Sequence, residues 1–142
     1  MIEKLSHRRF FLGFFGALTL ALGLVGSFNY VVDPFHYYHG LTAINHVFFP
    51  GFQRYQNVGL ARSFKYDTVV IGTSVTENFL PSDIDRSWGG RAIKLSISGS
   101  TSYEQYLILQ QAIATGQVRR VIWGLDIGAF YGAPRRVRDD QG

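Results

Sequence analysis

The sequence predicts a mixed α/β protein in which a transmembrane helix precedes a small sheet of three parallel strands joined by crossover helices. Three observations carry this. An uncharged apolar run fills residues 10–32. Beyond Tyr66, a β-branched run at residues 68–71 stops at Gly72, and a second strand candidate at residues 92–97 precedes Gly99. Helical spacing of Tyr103, Tyr106/Leu107, Gln110 and Ile113 then separates the second run from a third at residues 121–125. Strands alternating with helical stretches over short connections lie parallel.

Residues 1–9 form a basic tail. Lys4, Arg8 and Arg9 precede the apolar run, and such charges hold an N-terminus in the cytoplasm. At about 1.5 Å per residue, residues 10–32 reach roughly 34 Å, enough for a hydrocarbon core of about 30 Å. The first predicted partner is therefore the lipid bilayer. The chain reads as a single-pass protein of the cytoplasmic membrane, with its C-terminal part periplasmic or extracellular. A cleaved signal peptide also begins basic and turns apolar. The run is long for one, and the small-residue exits at Ala21-Leu22-Gly23 and Val25-Gly26-Ser27 are poor, so the anchor is the preferred reading.

Residues 33–65 read as a juxtamembrane connector with at most a short helix. Phe35-His36-Tyr37-Tyr38-His39 combines apolar rings with polar tips, which suits a membrane interface. Residues 66–142 carry the sheet. Residues 75–80 are expected as a short helix or turn closed by Pro81. Residues 82–90 are expected as a loop, and 102–115 as a helix stopped by Gly116. Tyr103, Tyr106 and Trp123 are expected in the core.

The 142-residue chain has no cysteine, which excludes disulfide and thiolate–metal chemistry. Its net charge of +4 is scattered, apart from Arg119-Arg120 and the group Arg135, Arg136 and Arg138. These fit a solvated surface or lipid headgroups, and nucleic acid is not an expected partner. No metal or organic cofactor is implied.

Ligands of parallel sheets bind at the carboxyl ends of the strands. Three loops are predicted there: Gly72-Thr73-Ser74-Val75-Thr76-Glu77-Asn78, Ser98-Gly99-Ser100-Thr101-Ser102, and Gly124-Leu125-Asp126-Ile127-Gly128. Ser74 would sit between the end of a strand and the start of a helical turn, where backbone N–H groups converge. That position suits a nucleophile with an oxyanion site beside it. The amides of Ser74 and Gly99 are the expected oxyanion donors. Thr73, Glu77 and Asp126 are the expected lining residues. A serine hydroxyl needs an adjacent base, yet every histidine (His7, His36, His39, His46) precedes the motif. The competing reading is structural. Ser74-Val75-Thr76-Glu77 and Thr101-Ser102-Tyr103-Glu104 both have the spacing of a capping box, in which Ser74 is an N-cap and Glu77 its partner.

Residues 66 to 126 resemble the SGNH (GDSL-type) hydrolases, and within them the membrane-anchored branch that handles acyl groups on cell-envelope polymers. Gly72-Thr73-Ser74 corresponds to the family's first block, with Ser74 as nucleophile. Gly99, in Leu95-Ser96-Ile97-Ser98-Gly99, corresponds to the glycine of its second block. The resemblance implies a flavodoxin-like (SGNH-type) parallel sheet, present here only in part. It also implies a serine esterase or acyltransferase, with an envelope glycan or an acyl-donor membrane protein as partner. Two departures stand out. Asp126 lies near the place of the third block's asparagine, where a carboxylate would repel an oxyanion. The fourth block, Asp-x-x-His, has no counterpart among Arg138-Asp139-Asp140-Gln141-Gly142. The expectation is an incomplete chain, inactive by itself. The alternative is a non-catalytic, membrane-tethered binding module or an inactive fragment.

Overall fold

The computed structural model describes residues 2–40, 50–131 and 137. The chain divides into two compact units, residues 1–34 and 35–142. The first is one helix, α1 (Ile2–Val32), within which His7–Val32 is long and apolar enough to cross a membrane. Its C-terminal end is closed by the Asp33 amide donating to the Asn29 carbonyl.

The second unit is a parallel three-stranded sheet with helices. Its elements in order are α2 (Gln53–Ser63), β1 (Thr68–Ile71), α3 (Pro81–Trp88), β2 (Ala92–Lys94), α4 (Ser102–Ala114) and β3 (Arg120–Trp123). The strand order is β2-β1-β3. Val69 is in register with Ile93 on one side and Val121 on the other. The pairing continues past the end of β2, because the Leu95 and Ile97 amides donate to the carbonyls of Val70 and Gly72. The strand expected at 92–97 is thus present as an extended run, and the strand expected at 121–125 lies at Arg120–Trp123.

Side chains alternate along a strand, so Val69, Ile71, Ile93, Leu95 and Ile97 share one face. They form the core with Leu60 and Ala61 of α2 and Ile108 and Ala112 of α4. β1 is buried at every position, as a central strand covered on both faces must be.

Four expectations need correction. Residues 53–63, expected within a connector, form a helix that packs into the core, and the compact unit begins at Phe35. The loop expected at 82–90 is mostly α3. Pro81 starts it at a position where the missing N–H costs nothing, Asp83 lies in the first turn, and Gly89 ends it with φ 68°. Tyr106 and Trp123, expected inside, are 46% and 37% exposed. The face of α4 turned to the core is instead Gln105, Ile108 and Ala112. His36, expected at a membrane interface, is fully buried in the second unit, with its ring edge-on to Phe64.

Candidate functional site

The central strand determines where the site lies. β1 ends at Ile71, the chain turns through Gly72 and Thr73, and Ser74–Asn78 forms a single turn of 3₁₀ helix. The Ile97 amide donates to the Gly72 carbonyl, and the Gly124 amide donates to the Ile71 carbonyl. These two bonds bring the chain leaving β2 and the chain leaving β3 against the Gly72 turn. The three loops expected at the carboxyl edge therefore do lie at the ends of adjacent strands.

Thr76 fills the space beneath the turn. It is buried, its Oγ1 donates to the Thr73 carbonyl at 2.8 Å, and it shares a 2.6 Å hydrogen bond with Ser96 Oγ. A Cβ on Gly72 or on Gly124 would overlap the Thr76 side chain. Glycine at both positions is what lets the strands end this close to the threonine.

Thr73, Asp126 and Glu77 are tied down around it. Thr73 is buried, and its hydroxyl donates to Asp126 Oδ2 at 3.0 Å. The other oxygen of Asp126 accepts from the Gly128 amide at 2.9 Å and caps the short turn Ile127–Phe130. Glu77 Oε1 accepts from Gln53 Nε2 at 2.9 Å, and the Glu77 carbonyl accepts from Lys94 Nζ at 2.6 Å. The capping box expected between Ser74 and Glu77 is not formed, because the N-cap is Thr73 and the Glu77 carboxylate turns to α2. Ser74 is exposed, and among the described residues its hydroxyl has no hydrogen-bond partner.

The second loop is held from both sides. The Ser98 amide donates to Gln53 Oε1 at 2.8 Å, so one glutamine side chain joins this loop to Glu77. Gly99 turns the chain with φ 62°. The buried Ser100 hydroxyl approaches the Gly72 carbonyl at 3.4 Å and accepts from Gln105 Nε2 at 3.1 Å. Gln105 in turn accepts from Trp123 Nε1 at 2.7 Å, which links α4 to β3. The loop ends in a complete capping box: Glu104 accepts from the Thr101 amide, and Thr101 Oγ1 accepts from the Glu104 amide. Glu104 also accepts from Arg54 Nε at 2.8 Å. Burial works to raise the Glu104 carboxyl. The hydrogen bond and charge of Arg54, with the Thr101 amide, outweigh it and hold the pKa below the usual carboxylate value.

The structure thus places Ser74, Thr73, Glu77, Gly99 and Asp126 on loops at one sheet edge. Gln53, Asn57, Thr76, Ser96 and Gln105 build the frame beneath them, and sequence reasoning did not find these. Only the buried-helix position of Gln105, three residues before Ile108, carried a signal. His46 lies outside the described residues. Comparison with protein-family models, curated proteins and solved structures finds no significant match.

Proposed function

We propose that the protein is a membrane-anchored, SGNH-like serine esterase or acyltransferase acting on envelope-associated acyl groups, with its N-terminus in the cytoplasm. The observation that carries the reading is the isolation of one hydroxyl. Thr76 and Glu77 of the Ser74–Asn78 turn are engaged, while Ser74 is exposed and, among the described residues, unengaged at the end of the central strand. A site held this way keeps a nucleophile oriented at little entropic cost. The strand order β2-β1-β3 is also that of the first strands of a flavodoxin-like sheet, as the resemblance implies.

In this reading Ser74 Oγ bonds to an ester carbonyl carbon as its proton passes to a base. The amides of Ser74 and Gly99 stabilise the tetrahedral oxyanion. The C–O bond to the leaving alcohol breaks, that alcohol takes the proton, and an acyl-serine remains. Water or an acceptor hydroxyl then removes the acyl group. The base comes from outside the described residues. Asp126 buttresses Thr73 and caps a turn, which keeps its carboxylate engaged rather than facing the oxyanion. Labelling of the full protein with a fluorophosphonate serine probe tests the assignment. Labelling is expected in the native protein and not in Ser74→Ala, and equal labelling of both refutes it.

A non-catalytic binding module is the second reading. It is favoured by the commitment of both nearby carboxylates, Glu77 and Asp126, to structural hydrogen bonds. Absence of labelling in the native protein would decide for it.

A further inference from the structure

A cavity of about 500 Å³ follows the outer edge of β2, touching Ala92, Ile93, Lys94 and Ser96. It is a slot between two walls. Ile93 faces the core with Leu60, so α2 forms one wall, through Asn57, Leu60 and Phe64. Lys94 faces the other way, where its Nζ donates to the Glu77 carbonyl, and Glu77 of the Ser74 turn forms the second wall with Pro81. The Leu95 and Ile97 amides point inward, to Val70 and Gly72 of the β1 segment. Main-chain groups alternate in direction along a strand, so those of Ala92, Lys94 and Ser96 point outward. Two of these outward groups are covered, one at each end. The Ala92 amide donates to Asp85 Oδ1 at 2.6 Å, and the Ser96 carbonyl accepts from Asn57 Nδ2 at 2.9 Å. Among the described residues nothing bonds to the groups between them: the Ala92 carbonyl, the Lys94 amide, the Lys94 carbonyl and the Ser96 amide.

Along the strand the open groups run acceptor, donor, acceptor, donor. Consecutive residues of an extended chain lying parallel to β2 supply the complement. The first residue donates its N–H to the Ala92 carbonyl and accepts with its C=O from the Lys94 amide. The middle residue turns its own N–H and C=O away. The third donates to the Lys94 carbonyl and accepts from the Ser96 amide. Asp85 and Asn57 stand where the pairing would continue. A parallel chain passes about five residues before meeting them, and an antiparallel chain about three, so the spacing of the stops favours the parallel direction. The first and third residues share the face of Ile93 and meet α2. That helix reaches Ser98 with Gln53 and Ser96 with Asn57, so Leu60 and Phe64 lie toward the Ala92 end. The first residue therefore meets an apolar wall and the third a carboxamide. The charged side chains of the slot are already bonded, Glu77 to Gln53 and Lys94 to the Glu77 carbonyl, so it suits an uncharged chain.

We propose that this slot binds an extended, uncharged peptide segment of a partner protein as an added strand parallel to β2. An apolar residue of the segment packs on Leu60 and Phe64, and a small polar residue two positions later lies beside Asn57. The segment runs toward the carboxyl edge of the sheet and leaves the slot beside Glu77 of the Ser74 turn. The pairing does not depend on Ser74 being a nucleophile.

The chain contains three lysines, Lys4, Lys65 and Lys94. Full-length protein labelled with ¹⁵N-lysine in detergent micelles therefore gives three lysine amide signals, assigned with Lys4→Arg and Lys65→Arg. The probe is the capped tripeptide acetyl-Leu-Ala-Ser-methylamide. It is expected to move the Lys94 signal saturably, with a dissociation constant on the order of 1 mM, as suits a ligand this small. The Lys65 signal should stay in place. N-methylation of the leucine or the serine amide removes a donor to β2 and should weaken binding by about tenfold or more. N-methylation of the alanine amide, which points away from β2, should leave binding as it was. Aspartate in place of the leucine should weaken binding as strongly as the lost donors do. The changes are made in the ligand, so every comparison uses the same folded protein. Ser74→Ala should bind as the native protein does, which separates this site from the proposed catalysis. A Lys94 signal that the parent peptide leaves unmoved, or that moves alike with all the N-methylated forms, overturns the proposal. So does the reverse pattern, in which only alanine N-methylation abolishes binding, because that is the signature of an antiparallel chain.

Discussion

Replacing Glu104 by glutamine isolates one electrostatic contribution to the frame of the site. The glutamine oxygen can still accept from the Thr101 amide, so the capping box is kept. What is lost is the charge facing Arg54, whose Nε lies 2.8 Å from Glu104 Oε1. Glu104 is 6% exposed and Arg54 24% exposed. Removing one member of a wholly buried pair costs about 3–5 kcal/mol. The partial hydration of Arg54 lowers that figure toward the worth of a single hydrogen bond to a charged group, about 1.5–3 kcal/mol. The expected loss is about 2 kcal/mol. In urea it corresponds to a midpoint lowered by about 1 M for a domain of this size. Tryptophan fluorescence reports it, because Trp123 bonds to Gln105, the neighbour of Glu104. The pH dependence gives the sharper check. The Glu104 pKa is lower in the folded chain than in the unfolded one. Its contribution is therefore complete above the unfolded value of about 4.3 and is lost as pH falls through the folded value. Glutamine does not titrate, so the two proteins should differ most near neutrality and converge on acidification. Equal midpoints at pH 7, or a gap that persists at the acid limit, would refute the assignment.

Three further outcomes follow from the packing. Gly124→Ala would drive its Cβ into the Thr76 methyl, and Thr76 is buried and hydrogen-bonded on two sides, so a loss of about 1–3 kcal/mol is expected; Thr76→Ser, which removes that methyl, should restore most of it in a thermal melt of the double variant. Gly59→Ala would set a Cβ against the main chain of Phe35 and His36, which cannot swing aside, so limited proteolysis should cut near Tyr37-Tyr38 several-fold faster. Residues 35–142 expressed alone should self-associate in sedimentation, because Leu125, Ile127 and Tyr131 are all more than 70% exposed beside β3, which among the described residues is an edge strand; Leu125→Glu with Ile127→Glu should reduce the association, and a monomeric native fragment would contradict the reasoning.

The elements legible in the sequence were those whose burial is apolar and periodic. Residues 68–71 are Thr-Val-Val-Ile, a run that only a central strand explains, and Gly72, Gly99 and Gly116 punctuate the chain where the structure turns. The illegible elements bury polar groups or bury almost nothing. α2 turns Gln56, Asn57 and Gly59 inward along with Leu60 and Ala61, so its apolar stripe is interrupted by the residues that serve the site. α4 buries Gln105 and leaves Tyr106 and Leu107 outside, which inverted the expected face. α3 buries no residue fully, and its eight residues are too few to show a period. Ser74 was legible as a position, at the junction of a strand and a turn. Its freedom was not, because that depends on Glu77 turning to Gln53 across the fold.

Two of the three carboxamides of α2, Gln53 and Asn57, explain why that helix is polar where it meets the sheet. An unpaired strand edge exposes main-chain groups every second residue, a spacing of about 6.6 Å. Side chains four apart on a helix are separated by about 6.0 Å along its axis and share a face. A helix laid beside a strand can therefore match alternate edge groups with alternate turns. Gln53 bonds to Ser98 and Asn57 to Ser96, so the helix residues ascend as the strand residues descend. Carboxamides suit the task because each carries both a donor and an acceptor. Gln53 uses both, its oxygen for the Ser98 amide and its nitrogen for Glu77, and thereby ties the Ser74 turn to the edge it protects. The next step of the series falls on Ala61, which has no polar group and belongs to the apolar core. The strand residue due at that step is Lys94. The series of edge bonds made by α2 thus ends at Asn57, where the helix continues into the core.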